Sequence, residues 1–243
     1  MKLLIIRHGD PDYEKDSLTE IGFREAELLS ERLSLMNVTA FYCSPLGRAK
    51  ATAKPTLEKM GREAKVLDWL REFPVLIRGK EGGKDESCCW DWLPAAWTTE
   101  PRFFDKDKWC EADVFKNAGV PEKYREVCVG LDELLKKHGY SRNGLYYKAE
   151  VPNEDTIVLF CHFGLECVLL SHLLNVSPMI LWHGSCAAPT SVTTLVTEER
   201  RPGVAYFRMG AFGDTSHLYK AGDEPSFSAR FCETYYRKDQ RHD

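Results

Sequence analysis

The apolar run Leu3-Leu4-Ile5-Ile6 stops abruptly at Arg7-His8-Gly9, and this junction limits what the chain can become more than any other stretch. So short a run is read as a strand buried on both faces, not as a core helix. A cation, an imidazole and a glycine at its C-terminal end put polar chemistry at one edge of a sheet. In open α/β sheets, ligands bind in the crevice beyond that edge. His8 can be a nucleophile if one ring nitrogen is neutral and the other N–H is held by an acceptor. Arg7 offers a planar fork that matches phosphate, and Gly9 lets the backbone pass close to a ligand.

The same logic returns late in the chain. Thr156-Ile157-Val158-Leu159-Phe160-Cys161 is a continuous apolar run, expected as a central buried strand. It ends at His162-Phe163-Gly164 and passes into a helical pattern from Leu165 to Leu174, whose start can add backbone N–H donors for an anion.

Between these landmarks the chain alternates strand and helix. Asp10 to Asp16 is a Pro-broken polar loop that follows the first edge and is expected at the pocket rim. Thr19 reads as the N-cap of a helix whose apolar stripe is Ala26, Leu29, Leu33 and Met36, with Leu18 and Phe23 placed as a hydrophobic staple. Ala40 to Cys43 reads as a strand. Ser44-Pro45 then reads as a cap with proline at the first helical position, which puts Arg48 in the first turn. Pro55 is expected to kink or end that helix. Lys65-Val66-Leu67 is a third strand, followed by Trp69-Leu70-Arg71-Glu72-Phe73.

From about residue 77 to 150 the rhythm breaks. This stretch holds Cys88-Cys89-Trp90-Asp91-Trp92, Trp97, Phe103-Phe104 and Trp109-Cys110. It is read as an insertion, a cap whose aromatic faces either meet the non-phosphate part of a substrate or pack onto the main core. An amphipathic helix is expected from Pro121 to His138. Beyond the second histidine, Ser177 to Trp182 reads as a short helix. Ser191 to Thr197 and Val204 to Met209 read as strands joined by a Glu198–Pro202 turn, with a polar tail from Tyr219.

At 243 residues the chain accommodates one domain carrying an inserted cap. Its net charge of -4 implies no general polyanion-binding surface, so any phosphate site must come from local arginines and no nucleic-acid partner is expected. The nine cysteines are odd in number and include no Cys-x-x-Cys pair. With no signal-peptide or membrane-spanning stretch visible, reduced thiols and a cytoplasmic location are expected. Cys88-Cys89 lacks the second ligand pair that a metal site would need.

Arg7-His8-Gly9, Ser44 to Arg48, Glu72 and His162 stand in an order that resembles branch 1 of the histidine phosphatase superfamily, which includes the cofactor-dependent phosphoglycerate mutases. The resemblance implies a three-layer α/β/α fold with a mostly parallel central sheet and an inserted cap. It also implies a phosphomonoester hydrolase acting through a phosphohistidine on His8, without metal or other cofactor. Arg7, Arg48 and His162 would hold the phosphoryl group and Glu72 would be the general acid. Gly9, Asp12, Tyr13 and Phe163 would complete the substrate-binding set. Many members carry glycine directly after the second histidine, where this chain has Phe163. Trp90, Trp92 and His183 are further candidates for the substrate wall, although a structural role is the stronger expectation for His183 and for His217.

A phosphoglycerate-type mutase would share these residues. A non-catalytic phospho-ligand-binding module on the same fold would have no need of the glutamate. The expected partner is a small phosphorylated metabolite, and a homodimer is compatible with the sequence.

Overall fold

The computed structural model describes residues 1–78, 86–228, 230 and 233–240, so residues 79–85 of the expected insertion and Cys232 lie outside the described residues. The strands are β1 (Lys2–Arg7), β2 (Pro11–Asp12), β3 (Ser17–Leu18), β4 (Ala40–Cys43), β5 (Ala64–Val66), β6 (Leu76–Arg78), β7 (Glu86–Cys88), β8 (Tyr140–Asn143), β9 (Tyr146–Ala149), β10 (Thr156–Cys161), β11 (Val192–Arg201) and β12 (Val204–Asp214). The α-helices are α1 (Glu20–Leu33), α2 (Gly47–Met60), α3 (Pro94–Trp97), α4 (Asp113–Lys116), α5 (Val120–Lys137), α6 (Phe163–Leu174), α7 (Pro178–Gly184) and α8 (Ser216–Lys220).

Eight strands form one mixed sheet in the order β5-β4-β10-β1-β11-β12-β9-β8. Its core, β5-β4-β10-β1, is parallel, and the half from β11 outward is antiparallel. The short apolar runs are buried on both faces, as a central strand between helical layers requires. Leu4 and Ile6 of β1 face a core built with Leu29 and Leu33 of α1 and Ala49 and Ala53 of α2. Leu3 and Ile5 face the opposite core, with Leu131 and Leu134 of α5 and Leu165 and Leu169 of α6. This is the expected α/β/α layering, with the sheet parallel at its core. Among the described residues no helix is long and apolar enough to cross a membrane.

The 77–150 segment divides. Its aromatic part packs inward through Phe103, Trp109 and Phe115, which are almost fully buried. Its last part, α5 with β8 and β9, belongs to the main layers and extends the sheet at one edge.

Several local expectations are corrected. Ser44 does not cap α2: the helix starts at Gly47 after an extended Leu46. The cap is supplied from across the site, where Asp16 Oδ2 accepts from Gly47 N at 2.6 Å. Pro55 does not end α2, which runs on to Met60 and stops at Gly61 in the left-handed region. Ala53 and Thr56 bury on either side of the missing donor and hold the helix to the sheet. Phe23 is half exposed instead of stapling against Leu18, although Thr19 does cap α1 by accepting from Gly22 N. Glu198 to Arg201 stay in β11, and the turn is Pro202-Gly203, with φ +75° at the glycine.

Candidate active site

β1 and β10 are adjacent and parallel, with Arg7 opposite Cys161, so the two strands deliver His8 and His162 to the same edge. His8 N donates to Cys161 O at 3.0 Å, and the two imidazole centroids are 5.1 Å apart. Both histidines are buried.

His8 Nδ1 lies 2.8 Å from Gly9 O, a carbonyl that can only accept, so the ring proton sits on Nδ1 and the lone pair on Nε2. Burial first, and then the adjacent Arg7, holds His8 well below the ordinary imidazole value of 6.5. His162 is depressed in the same direction, again first by burial and then by His8 and the two arginines. Its Nε2 lies 2.7 Å from Ser44 Oγ, while Leu46 N donates to that oxygen at 3.3 Å. Ser44 Oγ is thus the partner of Nε2, and His162 Nδ1 is the ring nitrogen left to meet a ligand.

Arg7 Nη1 donates to Ala187 O at 2.7 Å and Nη2 to Ser228 O at 3.3 Å. Arg48 Nη1 donates to Asp16 Oδ1 at 2.8 Å, and its guanidinium lies 5.4 Å from the centre of the Tyr13 ring. Arg7 Nε, Arg48 Nε and His162 Nδ1 are all buried and make no hydrogen bond among the described residues. A buried unpaired donor costs about 1–3 kcal/mol, so this cluster favours an anion that would accept from it.

Glu72 Oε1 accepts from Phe73 N at 2.8 Å and Leu165 N at 2.9 Å, and Oε2 from Gly164 N at 3.4 Å. These donors, together with Arg48, favour the carboxylate, but burial is the larger effect and leaves Glu72 above the ordinary carboxyl value. Gly164 is required here. A Cβ on it would lie 2.8 Å from Glu72 Oε1 and 2.9 Å from Trp90 Nε1.

A cleft of about 300 Å³ opens over these groups and is lined by Arg7, His8, Tyr13, Glu72, Trp90 and Phe163, among others. The structure thus brings His8, Arg7, Glu72, Tyr13 and Phe163 to one cleft, with His162 beside His8 and Arg48 near enough to act electrostatically on His8, His162 and Glu72. Asp12 is not among the lining residues. It pairs with Lys15 Nζ at 2.7 Å on the β2–β3 hairpin.

Gly9 has a different reason to be glycine from the one expected. A Cβ would lie 2.8 Å from Gly22 O, so it lets α1 approach, and its N–H is committed to Thr52 Oγ1 at 2.9 Å. Trp90 lines the cleft and Trp92 its continuation. His183 also borders that continuation, but both its nitrogens are engaged, accepting from Trp92 N at 3.1 Å and donating to Met179 O at 2.8 Å.

Sequence reasoning missed Ser44 as the partner of His162 and Asp16 as the partner of Arg48. It also missed the C-terminal tail. Ser226 Oγ donates to Asp10 Oδ1 at 2.8 Å and Ser228 Oγ to the same carboxylate, which carries the tail over Arg7. Nothing periodic marks these two serines for the role, because Asp10 lies 216 and 218 positions away from them.

Known proteins resemble this chain in sequence and in fold. The model of the histidine phosphatase superfamily (branch 1) matches residues 3–209. A probable phosphatase of Schizosaccharomyces pombe is 25% identical over 235 residues, covering 90% of this chain and 95% of that protein. Among solved structures, a phosphoserine phosphatase mutant from Entamoeba histolytica in complex with phosphoserine is similar with a TM-score of 0.59 and 19% identity, over 89% of this chain and 98% of that one. A mycobacterial glucosyl-3-phosphoglycerate phosphatase complexed with VO3 is similar with a TM-score of 0.56 and 19% identity, over 87% and 98%.

Proposed function

The chain belongs to branch 1 of the histidine phosphatase superfamily, and from that premise we propose that it hydrolyses small phosphomonoesters through a phosphohistidine on His8. The observation that carries this reading is the trio of buried, unpaired donors, Arg7 Nε, Arg48 Nε and His162 Nδ1, grouped around a neutral imidazole. A phosphoryl group would satisfy them while its phosphorus meets His8 Nε2.

In the first step the Nε2 lone pair forms the N–P bond as the P–O bond to the leaving group breaks. The arginines and His162 stabilise the charge spread over the non-bridging oxygens. Glu72 gives its proton to the departing oxygen. In the second step the Glu72 carboxylate takes a proton from water, the water oxygen bonds phosphorus, and the N–P bond breaks to return neutral His8 and phosphate. A carboxyl raised by burial suits the acid role near neutral pH. Arginine and imidazole meet the charge in this scheme, so turnover is expected to survive exhaustive chelation.

The aromatic part of the 77–150 segment serves as the cap on the leaving-group side, supported by Trp90 in the cleft wall. Cys43, Cys128, Cys161 and Cys167 are free thiols inside the core, which supports a reducing, cytoplasmic setting.

The deciding experiment is mass spectrometry of protein quenched soon after mixing with 4-nitrophenyl phosphate, beside His8→Ala. Adduct on His8 with nitrophenol release, both absent from the variant, is the expected result. Substantial turnover by His8→Ala would overturn the assignment.

A further inference from the structure

The cleft does not end at the phosphoryl site. Trp90, Asp91, Phe163, Trp182 and Arg230 line both the catalytic cleft and a second lobe of about 400 Å³ that adds Trp92 and Trp97. The lobe starts beside the acid: Trp90 Nε1 and Glu72 Oε1 both lie within 3 Å of where a Cβ on Gly164 would stand, so the indole borders the carboxyl group.

The polar handles of this wall are turned inward. Trp90 Nε1 donates to Phe73 O, Trp92 Nε1 to Cys89 O and Trp182 Nε1 to Gly164 O, each at 2.9 Å. Trp97 stacks on His183 at a centroid distance of 5.1 Å and an interplanar angle of 23°, and both His183 nitrogens are engaged elsewhere. Three of the four indole N–H groups of this wall are thus committed to backbone carbonyls, and its charged groups are Asp91 and Arg230 at the flanks. A polyol leaving group would lose water from its hydroxyls with little in return, whereas a flat ring needs only area and ring–ring contact.

We propose that this lobe is a subsite for an aromatic leaving group, so that the substrates of His8 are aryl phosphate monoesters. Asp91 and Arg230 flank the subsite and would meet charged substituents on the ring. The proposal rests on the phosphatase reading above.

The test compares kcat/KM for phenyl phosphate, 2-naphthyl phosphate and glycerol 2-phosphate. The two aryl leaving groups are of similar acidity, so their ratio reports ring area and not chemistry. Naphthyl over phenyl by about tenfold, mainly in KM, is expected, because one added ring contact is of that order. Trp97→Leu should bring the ratio close to one. Parity of naphthyl and phenyl in the wild type, or preference for the glycerol ester, would overturn the proposal.

A second measurement is independent of turnover: calorimetric titration of the wild type with methylphosphonate, phenylphosphonate and 2-naphthylphosphonate. Affinity rising with ring size supports the subsite, and equal affinities overturn it. Hydrolysis of none of the esters would instead count against the phosphatase reading, while the phosphonate series would still decide the subsite.

Discussion

Ser44 Oγ lies 2.7 Å from His162 Nε2, with both residues fully buried. The serine engages Nε2 of His162, so Nδ1, unpaired among the described residues, is the nitrogen that can meet a phosphoryl oxygen. Ser44→Ala removes that constraint and leaves a buried ring nitrogen unpaired, a loss of about 1–3 kcal/mol. The expected result is a fall in kcat of roughly ten- to hundredfold with a folded protein. Steady-state kinetics beside circular dichroism check this, and unchanged kcat would remove Ser44 from the site.

Gly164→Ala places a methyl group on Glu72 Oε1 and Trp90 Nε1. The carboxylate is the more easily displaced of the two, so the acid should move off its backbone donors. Expected are a kcat reduced by at least about tenfold for alkyl esters and a smaller loss for nitrophenyl phosphate, whose leaving group needs little protonation. Equal losses on both ester types would indicate general distortion instead.

Three buried histidines set the acid side of the stability profile. His8 and His162 lie well below 6.5, and His217 is lowered to about 4, in each case chiefly by burial. Their folded values are depressed, so below pH 6.5 the unfolded chain takes up protons that the folded chain refuses. The share contributed by these three histidines is therefore complete above pH 6.5 and falls as pH drops, with that of His217 gone by about pH 4 and the losses from the two site histidines continuing lower. Urea titrations at pH 7 and 4 should show the wild type losing stability relative to His217→Asn, and an unchanged difference between the two would contradict it.

Glu166 is buried in α6, and neither carboxylate oxygen completes a hydrogen bond among the described residues. Burial, opposed by Thr193 and Arg7 and reinforced by Glu72, raises its value to about 7. Cys161 and Cys167 also lie in its field. Here the folded value exceeds the unfolded one of 4.5, so the Glu166 share of stability is full below pH 4.5 and is lost as pH rises through 7. At about 1.4 kcal/mol per unit the loss reaches at most about 3 kcal/mol. Glu166→Gln should therefore match the wild type at pH 4.5 and gain on it at pH 8, as measured by urea unfolding at both values. A variant equally destabilised at both would rule out this origin.

The local physics of the chain was enough to read β1 and β10, because an unbroken apolar run needs burial on both faces wherever it lies. It was also enough to place His8 and His162 at the ends of those strands and Arg48 in the first turn of α2, and the order of these signals carried the family. The amphipathic stripes of α1 and α5 were legible for the same reason, since periodicity is a property of neighbours along the chain. What periodicity could not supply was the pairing of side chains remote in sequence. Ser44 meets His162 across 118 positions, and Ser226 meets Asp10 across 216. Gly9 is glycine for the approach of Gly22, and Gly22 for that of the Asp10 backbone, which neither position reveals alone. A serine after a strand favours a local cap by propensity, but Ser44 Oγ, while accepting from Leu46 N, makes its shorter contact with the buried imidazole that follows the adjacent parallel strand. Only the strand order of the folded sheet, which sets β4 beside β10 and β10 beside β1, decides that contact.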